Sequence, residues 1–443
     1  MAHSTSEFPP SLKGTPLLGH LLRMKKEGVY FYLNAHKEVG DAISLKAGPK
    51  QFYLFLHPEY YKEILIDKPD IFIKGKQYDS LRLVLGNGLL TSEGTSWQKQ
   101  RKSLNSVFGK EGMDILLKHI ESVTLDFVTN RIELNKEINF TKVMFDYTLS
   151  VAIKSFFGDD YNKIDLDKFT NECFKTIRFV SKRMSNVYSV PLFLPTKENR
   201  EFKNSLAYLK DIVSKMYHSK VSSQNKEAKD LIEQLIQAGF SEEEIWDQII
   251  SFLIAGHETT ALTMSWMFHL LCQHSDYQSL IMEEAQSRNF EFENSLSLSN
   301  YPLINAIINE TMRLYPAGWV IARDIAEDTT VGKYKVAKGN VIAISPLVTH
   351  RDERFFPSPN NFMPERFIEG NKHYHELTKN SYLPFSIGRR NCIGARFALL
   401  EMNLFILNFF KLYKIESNQK PLKMKGFVTL KPSENLRVKV SKI

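Results

Sequence analysis

Residues 241–274, SEEEIWDQIISFLIAGHETTALTMSWMFHLLCQH, restrict the fold more than any other stretch. Apolar residues recur there at helical spacing, and in the middle they occupy nearly every face. A helix that is apolar all round belongs in an interior. Ser241 with Glu244 has the spacing of a capping box, and Phe240 with Ile245 that of a hydrophobic staple. The acids of the first turn suit the positive end of the helix dipole. Unbroken, such a helix runs about 50 Å. A rod of that length must be wrapped by other helices, and residues 57–290 are patterned to supply them.

The remaining patterns are short strands. DAISLKAGPKQFYLFL (41–56) alternates about Gly48-Pro49 and reads as a hairpin; TTVGKYKVAKGNVIAI (329–344) reads as short strands with glycine turns; GFVTLKPSENLRVKVSKI (426–443) reads as a last hairpin. The expected class is mainly α with small β-sheets. No repeat or linker divides the 443 residues, so one domain, 1–443, is expected. Pro9, Pro10, Gly14 and Pro16 make 1–20 an extended entry segment. It has no cationic start followed by an apolar core, and no apolar run reaches 18 residues, so neither a secretory signal nor a membrane anchor is expected, and the location is read as cytoplasmic. The net charge of +8 is spread rather than clustered. Such an excess could serve a nucleic acid, a membrane surface or an acidic protein partner, or be only a solvated basic surface; a nucleic-acid module would need a basic stripe and an aromatic-basic motif, which are lacking.

Cys173, Cys272 and Cys392 are odd in number and far apart, which argues against a disulfide framework and, without a CxxC pair, against a cysteine zinc site. Cys392 lies in FSIGRRNCIG (385–394), just before the helical pattern ARFALLEMNLFILNFFK. Free N–H groups at a helix start, the dipole, and the charges of Arg389 and Arg390 all favour a thiolate. Gly388 and Gly394 permit a tight turn. These residues leave three readings open: a nucleophile, an axial ligand to haem iron, or an inert core cysteine.

Phe385, Gly388, Arg390, Cys392 and Gly394 complete the pattern Phe-x-x-Gly-x-Arg-x-Cys-x-Gly, which resembles the haem-binding loop of the cytochrome P450 superfamily. The resemblance extends over nearly the whole chain. It implies the fold of that family, with the long central helix over the haem, Cys392 as axial ligand, Phe385 packed near the sulfur and Arg390 on a propionate. Glu310 and Arg313 of ETMR, with Arg366 of PERF, resemble the family's structural Glu–Arg–Arg triad. Ala255, Glu258 and Thr259 of AGHETT resemble its oxygen-activation motif, in which a kinked helix holds dioxygen while the acid and the threonine deliver protons. Trp97 and Arg101 of WQKQR resemble its propionate-contacting motif, although a plain amphipathic helix explains that spacing too; Arg323 matches another arginine near the propionates.

The activity so implied is a haem-thiolate monooxygenase. It uses haem b, dioxygen and electrons from NAD(P)H, delivered by a ferredoxin or flavodoxin with its reductase to a monomer that has no fused reductase. Lys99, Arg101, Lys102 and Arg389 are candidates for docking that partner. Tyr78 to Leu85, Phe252, Ala255, Ala317, Trp319, Val320, Phe427 and Val428 map to substrate-facing segments. Their apolar character points first to a fatty acid, with Lys50 and Tyr53 available for its carboxylate, although an ordinary strand edge explains those two as well. Terpenoid or steroid hydroxylation is the alternative. A peroxide-driven peroxygenase and a haem-thiolate sensor both fit less well with the intact Glu258-Thr259 pair.

Overall fold

In the computed structural model, which describes all residues except 1–6, 16–17, 48–49, 186–189, 224–226, 287–299, 375–376 and 427, the long helix forms from Glu242 to Gln273 without interruption. The helices that carry functional residues are, in chain order, α1 (Gly94–Val107), α2 (Lys110–Asn130), α3 (Phe140–Phe157), α4 (Leu166–Ser185), α5 (Glu242–Gln273), α6 (Pro302–Leu314) and α7 (Ala395–Leu412). The capping box of α5 is complete: the Glu244 N–H donates to Ser241 Oγ and the Ser241 N–H to the Glu244 carboxylate.

The chain divides into two compact units, each assembled from separated stretches: Met1–Gln77, Ala306–Cys392 and Leu422–Glu434 in the first; Tyr78–Asn305, Ile393–Pro421 and Asn435–Ile443 in the second. Because every stretch returns to a unit begun earlier, no linker marks a boundary in the sequence.

The first unit is built on a five-stranded sheet, in spatial order Ala42–Ala47, Lys50–Phe55, Val341–Ile344, Ile321–Ile325, Phe72–Ile73. The Lys50–Phe55/Val341–Ile344 pair is parallel and the others antiparallel. Side-chain alternation gives the sheet two apolar faces. Tyr53, Phe55, Ile342 and Ile344 join one core cluster with Leu65, Val331 and Leu383; Ile43, Leu45, Leu54 and Ala343 join another with Phe31 and Ala35. Tyr53 is 3% exposed and its ring packs in the first of these clusters.

In the second unit α5 is buried along most of its length, with α3 packed beside it and α7 packed on α2. Phe140, Phe268, Phe405, Phe409 and Phe410 interlock where α3, α5 and α7 meet, with ring centroids 4.7–5.9 Å apart. Such pairs contribute about 0.5–1.5 kcal/mol each beyond area burial.

The expected C-terminal hairpin does not form. Leu430–Pro432 pairs with Met424–Gly426 in the first unit, whereas Arg437–Lys442 lies between Glu137–Asn139 and Tyr413–Glu416 in the second. Val438 and Val440 face the core there beside Tyr413 and Ile415. A distant strand offered a buried partner that the neighbouring segment did not.

Candidate functional site

The first unit presents the cysteine loop. Phe385 and Cys392 close it through the Cys392 N–H, which donates to Phe385 O at 2.9 Å, and the Asn391 N–H donates to Gly388 O at 3.1 Å. Gly388 has φ +75°, and a Cβ there would lie 2.2 Å from Leu65 O. The turn therefore needs glycine both for its left-handed backbone and for space. Gly394, the N-cap of α7, differs from the expectation: its φ is −84°, so any residue could adopt its backbone. What it offers is room, since nothing lies within 4 Å of where its Cβ would be. Cys392 is exposed, Phe385 and Arg390 are half-buried, and Arg389 pairs with Asp70. Arg323 is buried in its strand and donates to Ala322 O.

Gly388→Ala is expected to lower stability by about 1–2 kcal/mol from the left-handed backbone alone, with the collision at Leu65 O adding to it. Thermal unfolding and the haem content of the purified variant would check this; a wild-type value for both would contradict the tight-contact account.

Behind the loop the triad comes together. Glu310 and Arg313 on α6 are 0% exposed and Arg366 is 2% exposed. Arg313 donates to both Glu310 oxygens, at 2.7 and 2.8 Å, and Arg366 Nε donates to Glu310 Oε1 at 3.1 Å. Arg313 also donates to the carbonyls of His350, Pro359 and Asn361. A buried carboxylate shared by two arginines, one of which also holds three carbonyls, serves geometry rather than chemistry.

Sequence reasoning missed His350. Its Nδ1 lies 3.2 Å from Arg313 O, and its Nε2 accepts the Leu383 N–H at 2.9 Å, which links the triad to the start of the cysteine loop. Burial pushes its pKa down to about 3, so the ring is neutral and the accepting Nε2 places the proton on Nδ1. A buried histidine in the polar run THRDER carries no periodic signal that would reveal this role.

The second unit presents the acid–threonine turn. Around it α5 is buried, yet Ala255 and Gly256 are exposed, and nothing lies within 4 Å of a Cβ built on Gly256. The kink anticipated at this point takes the form of hydroxyl back-bonding within a continuous helix. Thr259 Oγ1 donates to Ala255 O at 2.7 Å and Thr260 Oγ1 to Gly256 O at 2.9 Å. Glu258 and Thr259 are half-buried. Trp97 is buried and Arg101 half-buried on α1; Lys99 and Lys102 of the same helix are exposed, with Lys99 3.7 Å from Glu244.

The candidates for substrate contact divide. Phe252 is half-buried against Phe108, and Tyr78 is half-buried. Leu85 is fully buried in core packing, so it leaves the set. In the first unit Ala317 and Val320 are half-buried and Val428 is exposed, whereas Trp319 is packed edge-on against Tyr32 and over Gly426. Trp319 is therefore held in place by packing within the first unit. Phe427, the Gly48-Pro49 turn and the side chain of Lys50 lie outside the described residues.

Each unit separately offers what a haem needs. One holds an exposed sulfur on a tight loop, with Arg390 and Arg323 nearby in sequence or in the same unit. The other holds an uncovered small-residue turn, with Trp97 and Arg101 on α1. A sulfur donor, an uncovered small-residue turn and arginines for carboxylates fit an iron porphyrin. The other candidate metal cluster among the described residues, His36, Asp41 and Asp352, already holds a cation: Arg354 donates to both carboxylates.

A family profile described as Cytochrome P450 matches residues 9–440. The chain is 29% identical over 405 residues to cyclooctat-9-en-7-ol 5-monooxygenase of Streptomyces melanosporofaciens, covering 88% of this chain and 86% of that protein. It is 26% identical over 480 residues to human cytochrome P450 4V2, covering 98% and 90%. Among solved structures it resembles retinoic acid bound cyanobacterial CYP120A1, with a TM-score of 0.85, 24% identity and 99% of both chains covered.

Proposed function

Because the chain belongs to the cytochrome P450 family and is thereby a monooxygenase, we propose that Cys392 is its iron ligand, that Thr259 and Glu258 handle protons, and that its substrate is a weakly functionalised apolar molecule. When bound, haem supplies the activation of dioxygen and the insertion of one oxygen atom into a carbon–hydrogen bond. The chain's residues do the rest. The loop closed by Cys392 N–H and Phe385 O would hold the sulfur toward the iron, and Arg390, Arg101 and Arg323 would pair with the propionates. Thr259 keeps oxygen lone pairs open while its proton rests on Ala255 O, and Glu258 beside it exchanges protons with solvent. The observation that carries this reading is the exposed Ala255-Gly256 step in a helix buried along most of its length, one turn from Thr259.

Electrons come from an acidic ferredoxin or flavodoxin, to which a +8 chain is complementary. Among the described residues no helix is long and apolar enough to cross a membrane; a cytoplasmic location belongs to the same proposal.

For the substrate, isoprenoid skeletons now stand ahead of fatty acids. The Streptomyces relative is named for a cyclooctatenol, and the cyanobacterial structure is described with retinoic acid bound. Titrating the purified haem protein with cyclic terpenoids and with long-chain fatty acids, and following the iron spin state, separates the two. Terpenoids are expected to shift it at lower concentration. A shift with fatty acids alone would reverse the order.

A further inference from the structure

The acid–threonine turn of α5 is gripped from outside its own helix. The carbonyls of Ala255, Gly256 and Thr259 accept hydroxyls from Thr259, Thr260 and Thr263, each four residues on, so those bonds belong to α5 itself. The His257 carbonyl is different. It accepts from Thr148 Oγ1 of α3 at 3.2 Å, a buried contact spanning 109 residues of sequence.

We infer that Thr148 is a positioning residue, which fixes through the His257 carbonyl the turn that carries Glu258 and Thr259; the inference rests on the proton-handling role proposed above for those two residues. Three observations support it. First, α3 is itself anchored at the neighbouring position. Tyr147 Oη lies 2.7 Å from Thr124 Oγ1 on α2 and donates to Glu401 O on α7 at 3.2 Å, and its ring lies 4.5 Å from that of Phe405. Second, the His257 ring is held only by packing. It sits edge-on between Phe145 and Phe174, at 5.3 and 5.6 Å, and its Nε2 has no hydrogen-bond partner among the described residues. The directional contact at this residue is therefore the one to its backbone. Third, Thr148 is buried and, among the described residues, its hydroxyl has two acceptors, His257 O at 3.2 Å and Phe145 O in its own helix at 3.3 Å.

The second acceptor defines the competing account. A hydroxyl that merely back-bonds to Phe145 steadies α3 and leaves α5 indifferent. A hydroxyl shared with His257 ties the register of α5 to α3, and a proton-transfer site is sensitive to displacements well under 1 Å. Thr148→Val keeps the shape and deletes the donor, whereas Thr148→Ser keeps the donor.

The test uses the full-chain haem protein, with Thr259→Ala made alongside. Amide hydrogen exchange is read over residues 255–263, and the share of consumed NAD(P)H that appears as hydrogen peroxide is read during turnover. In Thr148→Val, exchange over 255–263 is expected to rise about fivefold, the ratio one ordinary hydrogen bond supports, together with the peroxide share; Thr148→Ser should stay near wild type in both. Unchanged exchange in Thr148→Val, or a serine variant no better than valine, overturns the inference. Thr259→Ala separates the two claims. If it fails to raise peroxide, the proton-handling reading falls, and the exchange result still decides whether Thr148 holds the turn.

Discussion

Glu310→Ala should leave two buried guanidinium groups without their shared counter-ion, at a cost of about 3–5 kcal/mol. Folded proteins are typically stable by only about 5–15 kcal/mol, so this single change removes a large part of the margin. The loss would not stay local. Arg313 is held by Glu310 while it donates to the carbonyls of His350, Pro359 and Asn361, and the Met363 N–H donates to Glu310 Oε1. Removing the carboxylate releases that loop and, through His350, the N–H of Leu383 at the start of the cysteine loop. Little soluble protein is expected, with a strongly lowered urea midpoint in what is recovered. Glu310→Gln keeps the shape and should fall between the two. A wild-type midpoint in the alanine variant would show that the triad is held by its surroundings rather than holding them.

Cys392→Ser should abolish turnover, by about a thousandfold or more, the scale on which deleting a group central to the chemistry is felt. The fold should survive, since Cys392 is exposed and its own loop contact is made by its backbone. The diagnostic is spectroscopic: the carbon monoxide difference spectrum of the reduced protein should lose the signature of a thiolate ligand. Cys173 and Cys272 are the internal controls. Burial pushes both thiols up, Cys272 to about 12 and Cys173 further, so neither can take over as a thiolate. Retention of the thiolate spectrum in Cys392→Ser would place the ligand elsewhere.

The sequence revealed features whose cause lies within a few residues or within a fixed motif. The capping box at Ser241 formed because its two bonds are local. Gly388 needed its special backbone, as a glycine in a tight turn does. The Glu310–Arg313 pair lies on one helical face, and Arg366 met Glu310 from 56 residues on. What stayed hidden depends on partners distant along the chain. Strand Arg437–Lys442 alternates equally well for a hairpin or for the edge of Tyr413–Glu416, and only burial of Val438 and Val440 chose. Trp319 was read from its segment, but the close approach of Gly426 decided where it packs. Thr148 is one more residue in an apolar helix until α5 is placed beside it.

The meeting of Gly388 with the carbonyl of Leu65 has a mechanical side. That carbonyl belongs to a π-helical turn, Glu63–Asp67, whose Ile66 is 41% exposed and reaches to 3.3 Å of the same glycine position. Close-packed interiors resist compression, and here no slack separates an outer surface from the strand of backbone bearing the sulfur. A side chain added at position 388 would therefore push on the turn that carries Ile66, and the cysteine loop could not take it up without moving.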